Sequence, residues 1–75
     1  MDNNHKKIPN LIKTLRKEAG LTQEELAFKC GFNRTYISMI ERSVRSPSIK
    51  TIENICGAID LKISQFFEFL ENYED

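Results

Sequence analysis

A chain of 75 residues, 40% hydrophobic and 29% charged, suits one small globular domain and is too apolar for a disordered tail. No apolar run approaches the length of a membrane span, and the opening MDNNHKKIPN lacks the apolar segment of a secretory signal, so a cytoplasmic protein is expected. The formal net charge is zero but unevenly spread: residues 1–50 carry ten Lys and Arg against five Asp and Glu, and residues 51–75 one Lys against six acids.

Five helices and no strands are predicted, an all-α compact bundle in one domain over residues 1–75. Residues 1–7, with Lys6, Lys7 and the only histidine, His5, form an expected flexible arm. A first helix spans Ile8 to Ala19, where Ile8, Leu11, Ile12, Leu15 and Ala19 recur at helical spacing. Pro9 is acceptable in a first turn, and Gly20 supplies a left-handed stop. The second helix begins after Thr22, which forms an S/T-x-x-E capping box with Glu25, while Leu21 is placed to staple onto the next turn. Gly31 ends that helix sharply, and Asn33 caps a third helix running to about Arg42.

Residues 43–47 read as a polar loop. Ser48 caps a fourth helix from Ile49 to about Ile59, with an apolar face of Ile49, Ile52, Ile55, Cys56 and Ile59. Gly57 marks a point where another helix is expected to pack closely. Ser64 begins a fifth helix bearing Phe66, Phe67, Phe69, Leu70 and Tyr73. Cys30 and Cys56 both fall on apolar stripes, as buried thiols of a reducing compartment do. With no CxxC or HxxxH spacing, no metal or other cofactor is expected. Without a nucleophile–base pair, paired carboxylates or a Gly-rich phosphate loop, neither is an enzyme.

Residues 22–42 carry the strongest signal. Leu26, Ala27, Cys30, Phe32, Ile37 and Ile40 stand where two crossing helices must touch, the sequence form of a helix-turn-helix whose second helix can enter a DNA major groove. A basic first half supplies the field that double-stranded DNA requires, despite the neutral sum. With Ile37 and Ile40 turned inward, the third helix presents Arg34, Thr35, Ser38 and Met39, with Tyr36 at the boundary.

Arg34 can pair bidentately with guanine O6 and N7, worth about 1–3 kcal/mol of discrimination. Thr35 can meet a thymine methyl or a phosphate, and Ser38 is a further base-contact candidate. Tyr36 can reach the DNA or pack against the first helix. Gln23 and Asn33, at helix starts, are expected to clamp phosphates. Arg42, Ser43, Arg45 and Lys50 are expected to contact the DNA backbone. Glu41, an acid on the reading helix, is expected to pair with a basic residue such as Arg16. Glu24 and Glu25 form an acidic patch that can meet RNA polymerase or simply complement the helix N-terminus.

The last segment, residues 60–75, has more aromatic surface than one small core needs. Phe66, Phe67, Leu70 and Ile63 share a face that closes the core, and Phe69 and Tyr73 extend it sideways. A homodimer is expected, its interface drawn from Ile49, Ile52, Phe66, Phe69 and Tyr73. Two copies then place two reading helices about one DNA turn apart on a palindromic operator. The competing reading is a protein-interaction module that keeps the fold without binding DNA.

The pattern TQEELA…G…IS.IE resembles the Cro and phage-repressor (XRE) helix-turn-helix family, with its lambda-repressor-like domain, over about residues 8–70. NRTYISMIERSVRSPSIKTIE and the ending QFFEFL are similar to the controller proteins of bacterial restriction–modification systems. That resemblance implies a homodimer binding operators upstream of its own gene and the endonuclease gene, activating at low concentration and repressing at higher occupancy. By position it implies DNA contacts from Arg34, Thr35, Tyr36 and Arg45. Met39 departs from the polar or small residue common there. A stand-alone phage-type or antitoxin-type repressor is the alternative within the same family.

Overall fold

Apolar side chains at helical spacing fold into five α-helices, with no strand among the described residues. The computed structural model describes residues 4–73. In chain order the helices are α1 (Asn4–Glu18), α2 (Gln23–Cys30), α3 (Arg34–Glu41), α4 (Ile49–Ala58) and α5 (Ile63–Asn72).

Local chemistry sets most of the boundaries. Thr22 Oγ1 accepts the Glu25 N–H at 3.0 Å, and the Glu25 carboxylate accepts the Thr22 N–H at 2.8 Å, closing the capping box of α2. Gly31 ends α2 at φ 76°, a left-handed conformation that costs glycine no side-chain clash. Asn33 Oδ1 accepts the Tyr36 N–H at 2.8 Å to start α3, and Ser48 Oγ accepts the Thr51 N–H at 3.1 Å to start α4.

One apolar core holds the helices together. Leu11 and Ile12 of α1, Leu26 and Ala27 of α2, Ile37 and Ile40 of α3, Ile52, Ile55 and Cys56 of α4, and Phe66 of α5 form a single buried cluster. α2 packs most extensively on α3, and α5 lies across α1 and α4. Ala27 sits at the α2–α3 crossing with 2% of its surface exposed, where a larger side chain would force the helices apart.

Four features differ from the sequence reading. α1 continues back to Asn4, so residues 4–7 of the expected arm are helical and Pro9 lies beyond the first turn. There the ring costs one backbone hydrogen bond; Ile8 packs against the core, and Lys7 and Ile8 line an open hollow with Phe67, Leu70 and Glu71 of α5. Residues 1–3 of the arm, and residues 74 and 75 of the acidic end, lie outside the described residues. α5 begins at Ile63 rather than Ser64: the Gln65 side chain reaches back to accept the Lys62 N–H at 3.0 Å. A methyl group at Gly57 would meet nothing within 4 Å, so no helix packs closely there. Finally, Ser43 (φ 63°) and Asp60 (φ 58°) make left-handed turns without glycine.

Candidate nucleic-acid interface

The reading helix rests on a buried ion pair. Arg16 of α1 grips Glu41 of α3 with both arms, Nε to Oε2 at 2.7 Å and Nη2 to Oε1 at 3.1 Å. Arg16 Nη1 also donates to the Leu21 carbonyl at 2.7 Å, and Gln23 Nε2 donates to Glu41 Oε1 at 3.1 Å. One carboxylate thus ties α1, the start of α2 and the end of α3 together. The pair expected from sequence is present, and it is more connected than spacing alone implied. Gln23, expected on a phosphate, has its amide directed at Glu41 instead.

On this support, Ile37 and Ile40 are fully buried, and Arg34 and Thr35 stand exposed at the N-terminal end of α3. Ser38 is half-buried, and its hydroxyl accepts from Arg42 Nε at 3.3 Å. Met39, expected outward, is half-buried too. Its carbonyl accepts the N–H groups of Val44 at 2.9 Å and Arg45 at 3.2 Å, which folds the following loop back onto α3.

Tyr36 is more engaged than the sequence suggested. Its ring meets Phe32 edge-on at 4.9 Å, and the Arg45 guanidinium lies over it at 5.7 Å from the ring centre. Its hydroxyl lies 3.1 Å from Thr51 Oγ1, which Ser48 Oγ also meets at 3.1 Å. Of the two readings of this residue, reaching the DNA or packing on the first helix, neither named these partners, Phe32 and Thr51 of α4. Sequence reasoning passed over Thr51; the signal was a hydroxyl three residues after the Ser48 cap, where two oxygens share one helix turn.

Around this face, Asn33, Arg42, Ser43, Arg45 and Lys50 are all exposed. They lie at the turn before α3, along the loop after it, and on the first turn of α4, forming a polar and cationic rim. Glu24 is exposed on α2, whereas Glu25 is committed to the cap. Burial pushes both free thiols up: desolvation raises the pKa of Cys30, and desolvation followed by the charge of Glu53 raises that of Cys56.

The expected dimer surface needs correction. Ile52 and Phe66 are wholly inside the protomer, at 2% and 0% exposure, so neither has surface to offer a second copy. They occupy the points where α4 and α5 cross the other helices, a depth that the apolar stripe does not reveal. Ile49 and Phe69 are exposed. Tyr73 is half-buried and lines a shallow hollow with Phe69, Leu11 and Leu15. Phe67, expected in the core, is also partly exposed.

The chain matches the helix-turn-helix family over residues 12–66. It is 43% identical to the immunity repressor protein of Bacillus phage phi105, over 71% of this chain and 37% of the repressor. It is 40% identical to the control protein C.BamHI of Bacillus amyloliquefaciens, over 69% of this chain and 64% of that protein. For the control protein C.MunI of a Mycoplasma species the identity is 36%, over 83% of this chain and 85% of that one. The aligned stretch is thus only about a third of the phage repressor and under two thirds of C.BamHI. Among solved structures, the wild-type restriction–modification controller protein C.Esp1396I superposes with a TM-score of 0.88 at 40% identity, over 96% of this chain and 94% of that one. A C.Esp1396I tetramer in complex with its natural 35-base-pair operator matches with a TM-score of 0.87.

Proposed function

The chain belongs to the helix-turn-helix family, and on that premise we propose that it is a sequence-specific DNA-binding transcription regulator acting as a homodimer. The observation that carries this reading is the two-sidedness of α3. Ile37 and Ile40 pin one face inside, while Arg34 and Thr35 stand exposed at the end that enters a major groove. Arg34 reads a guanine edge and Thr35 a thymine methyl or phosphate. Tyr36 and Ser38 complete the base-facing set. Asn33, Arg42, Ser43, Arg45 and Lys50 follow the phosphates on either side.

Phe69, Tyr73 and Ile49 supply the dimer contact, which pairs two α3 helices on a palindromic operator. The control proteins C.BamHI, C.MunI and C.Esp1396I support a role in a restriction–modification system, where the regulator controls its own gene and the endonuclease gene. The tetrameric operator complex of C.Esp1396I supports two dimers sharing one operator. Such a regulator works in the cytoplasm, and activation requires contact with RNA polymerase. A second reading, a stand-alone repressor, is favoured by the similarity to the phage immunity repressor.

Selection of bound sites from random duplex DNA at fixed salt tests the proposal. The expected product is a palindrome with half-sites about one turn apart. Recovery of no motif at low salt would sink it. Transcription from the recovered site with purified polymerase separates the two readings: a controller activates at low occupancy, and a simple repressor never does.

A further inference from the structure

α3 carries a row of polar side chains along its outer face. Arg34, Ser38 and Arg42 stand four residues apart, so they line one side of the helix with Ser38 in the middle. The two arginines are exposed at either end, and Ser38 between them is half-buried. Arg42 is turned back along this row. Its backbone N–H donates to the Ser38 carbonyl at 3.0 Å, and its Nε donates to Ser38 Oγ at 3.3 Å. With Nε taken, Nη1 and Nη2 remain to meet a phosphate as an end-on fork.

Resting on the reading above, in which α3 enters a major groove, we infer that Arg42 commits the Ser38 hydroxyl to donate. Ser38 then admits a base with a keto edge, guanine or thymine, and rejects one with an amino edge, adenine or cytosine. A hydroxyl has one proton and two lone pairs. Arg42 occupies a lone pair, and no other group among the described residues takes the proton. The donor is a cation, and it draws electron density from the oxygen. The O–H proton becomes a stronger donor, and the remaining lone pair a weaker acceptor. Guanine O6 and thymine O4 accept such a proton, whereas adenine N6 and cytosine N4 present protons of their own.

The neighbours push the same way. Arg34, one turn before Ser38, places a second positive charge on the row and disfavours the amino edges further. Arg42 thus has two roles. Its fork touches a phosphate, and its Nε acts on a base only through Ser38, which makes it a positioning residue for that base.

The test uses operators carrying each of the four bases at the position whose preference S38A erases, compared by fluorescence anisotropy. Wild type is expected to bind the guanine and thymine versions about tenfold more tightly than the adenine and cytosine ones, the size of one ordinary mismatch. R42M keeps an unbranched stem without a donor. It is expected to reduce that preference to about twofold and to lower the log–log salt slope by about 0.9. K50M, which removes a charge that does not touch Ser38, leaves the preference whole. In the free protein, nitrogen relaxation by NMR is expected to show the Arg42 Nε–H more rigid than that of Arg34, and S38A to release it. Circular dichroism checks that S38A and R42M keep their helices.

A preference that survives R42M overturns the inference, as does one lost equally in K50M. A preference for adenine or cytosine also overturns it and makes Ser38 an acceptor. So does a set of operators in which no position responds to S38A. If wild type selects no motif at all, the proposed function falls. Relaxation in the free protein then decides the link by itself, and equal mobility of Arg42 and Arg34 sinks it.

Discussion

Arg16 and Arg34 carry the same guanidinium to opposite ends. Arg16 spends its donors on Glu41 and the Leu21 carbonyl in the interior, whereas Arg34 keeps its fork exposed at the tip of α3. Arg34→Ala is therefore expected to weaken binding to the selected operator by about 1–3 kcal/mol, with little change in melting temperature or in binding to random DNA. Fluorescence anisotropy on both duplexes, beside a thermal melt, reads all three. Glu41→Ala is the opposite case. It strands a buried guanidinium and is expected to cost about 3–5 kcal/mol in urea unfolding, with DNA binding lost only as the fold is lost. The thiols add a pH dependence. Burial raises the pKa of Cys56 in the folded chain, so its contribution to stability is full below the unfolded thiol pKa and fades as pH rises through the folded one. The unfolding midpoint should fall on the alkaline side, and a thiol reagent should reach Cys56 only through unfolding.

At the scale of the element, α2, α3 and α4 were legible because their boundaries are local. Thr22 with Glu25, Asn33 and Ser48 act within one turn of where they stand, and Gly31 takes the left-handed conformation that the turn demands. The start of α1 was not legible, because it faces α5, with Lys7 and Ile8 lining one hollow with Phe67 and Leu70, more than fifty positions away in sequence. The stripe on α4 and α5 was visible, but its depth was not. Only the crossing of distant helices decides that Phe66 is sealed in while Phe69 stays outside. The hydroxyl of Tyr36 found Thr51 for the same reason. Gly57 is the element-scale test. With nothing near its missing side chain, Gly57→Ala should raise stability by about 0.5–1 kcal/mol, seen as a higher melting temperature and unchanged operator binding.

For the whole molecule, the charge division becomes a direction. Arg34, Arg42, Arg45 and Lys50 gather around α3 and the start of α4, while Glu68 and Glu71 lie on α5. Arg16, cancelled by Glu41, adds nothing to the outward field. If Arg45 and Lys50 each meet a phosphate, Arg45→Ala and Lys50→Ala should each reduce the log–log salt slope of binding by about 0.9, with sequence preference retained. An unchanged slope in either variant would remove that residue from the interface. The Glu41 carboxylate has one more effect. By bolting three helices to a single oxygen pair, it leaves the reading unit little freedom to adjust its shape to a duplex. Accommodation then falls to the operator, and steps that bend or compress easily at positions no side chain touches become part of what is recognised.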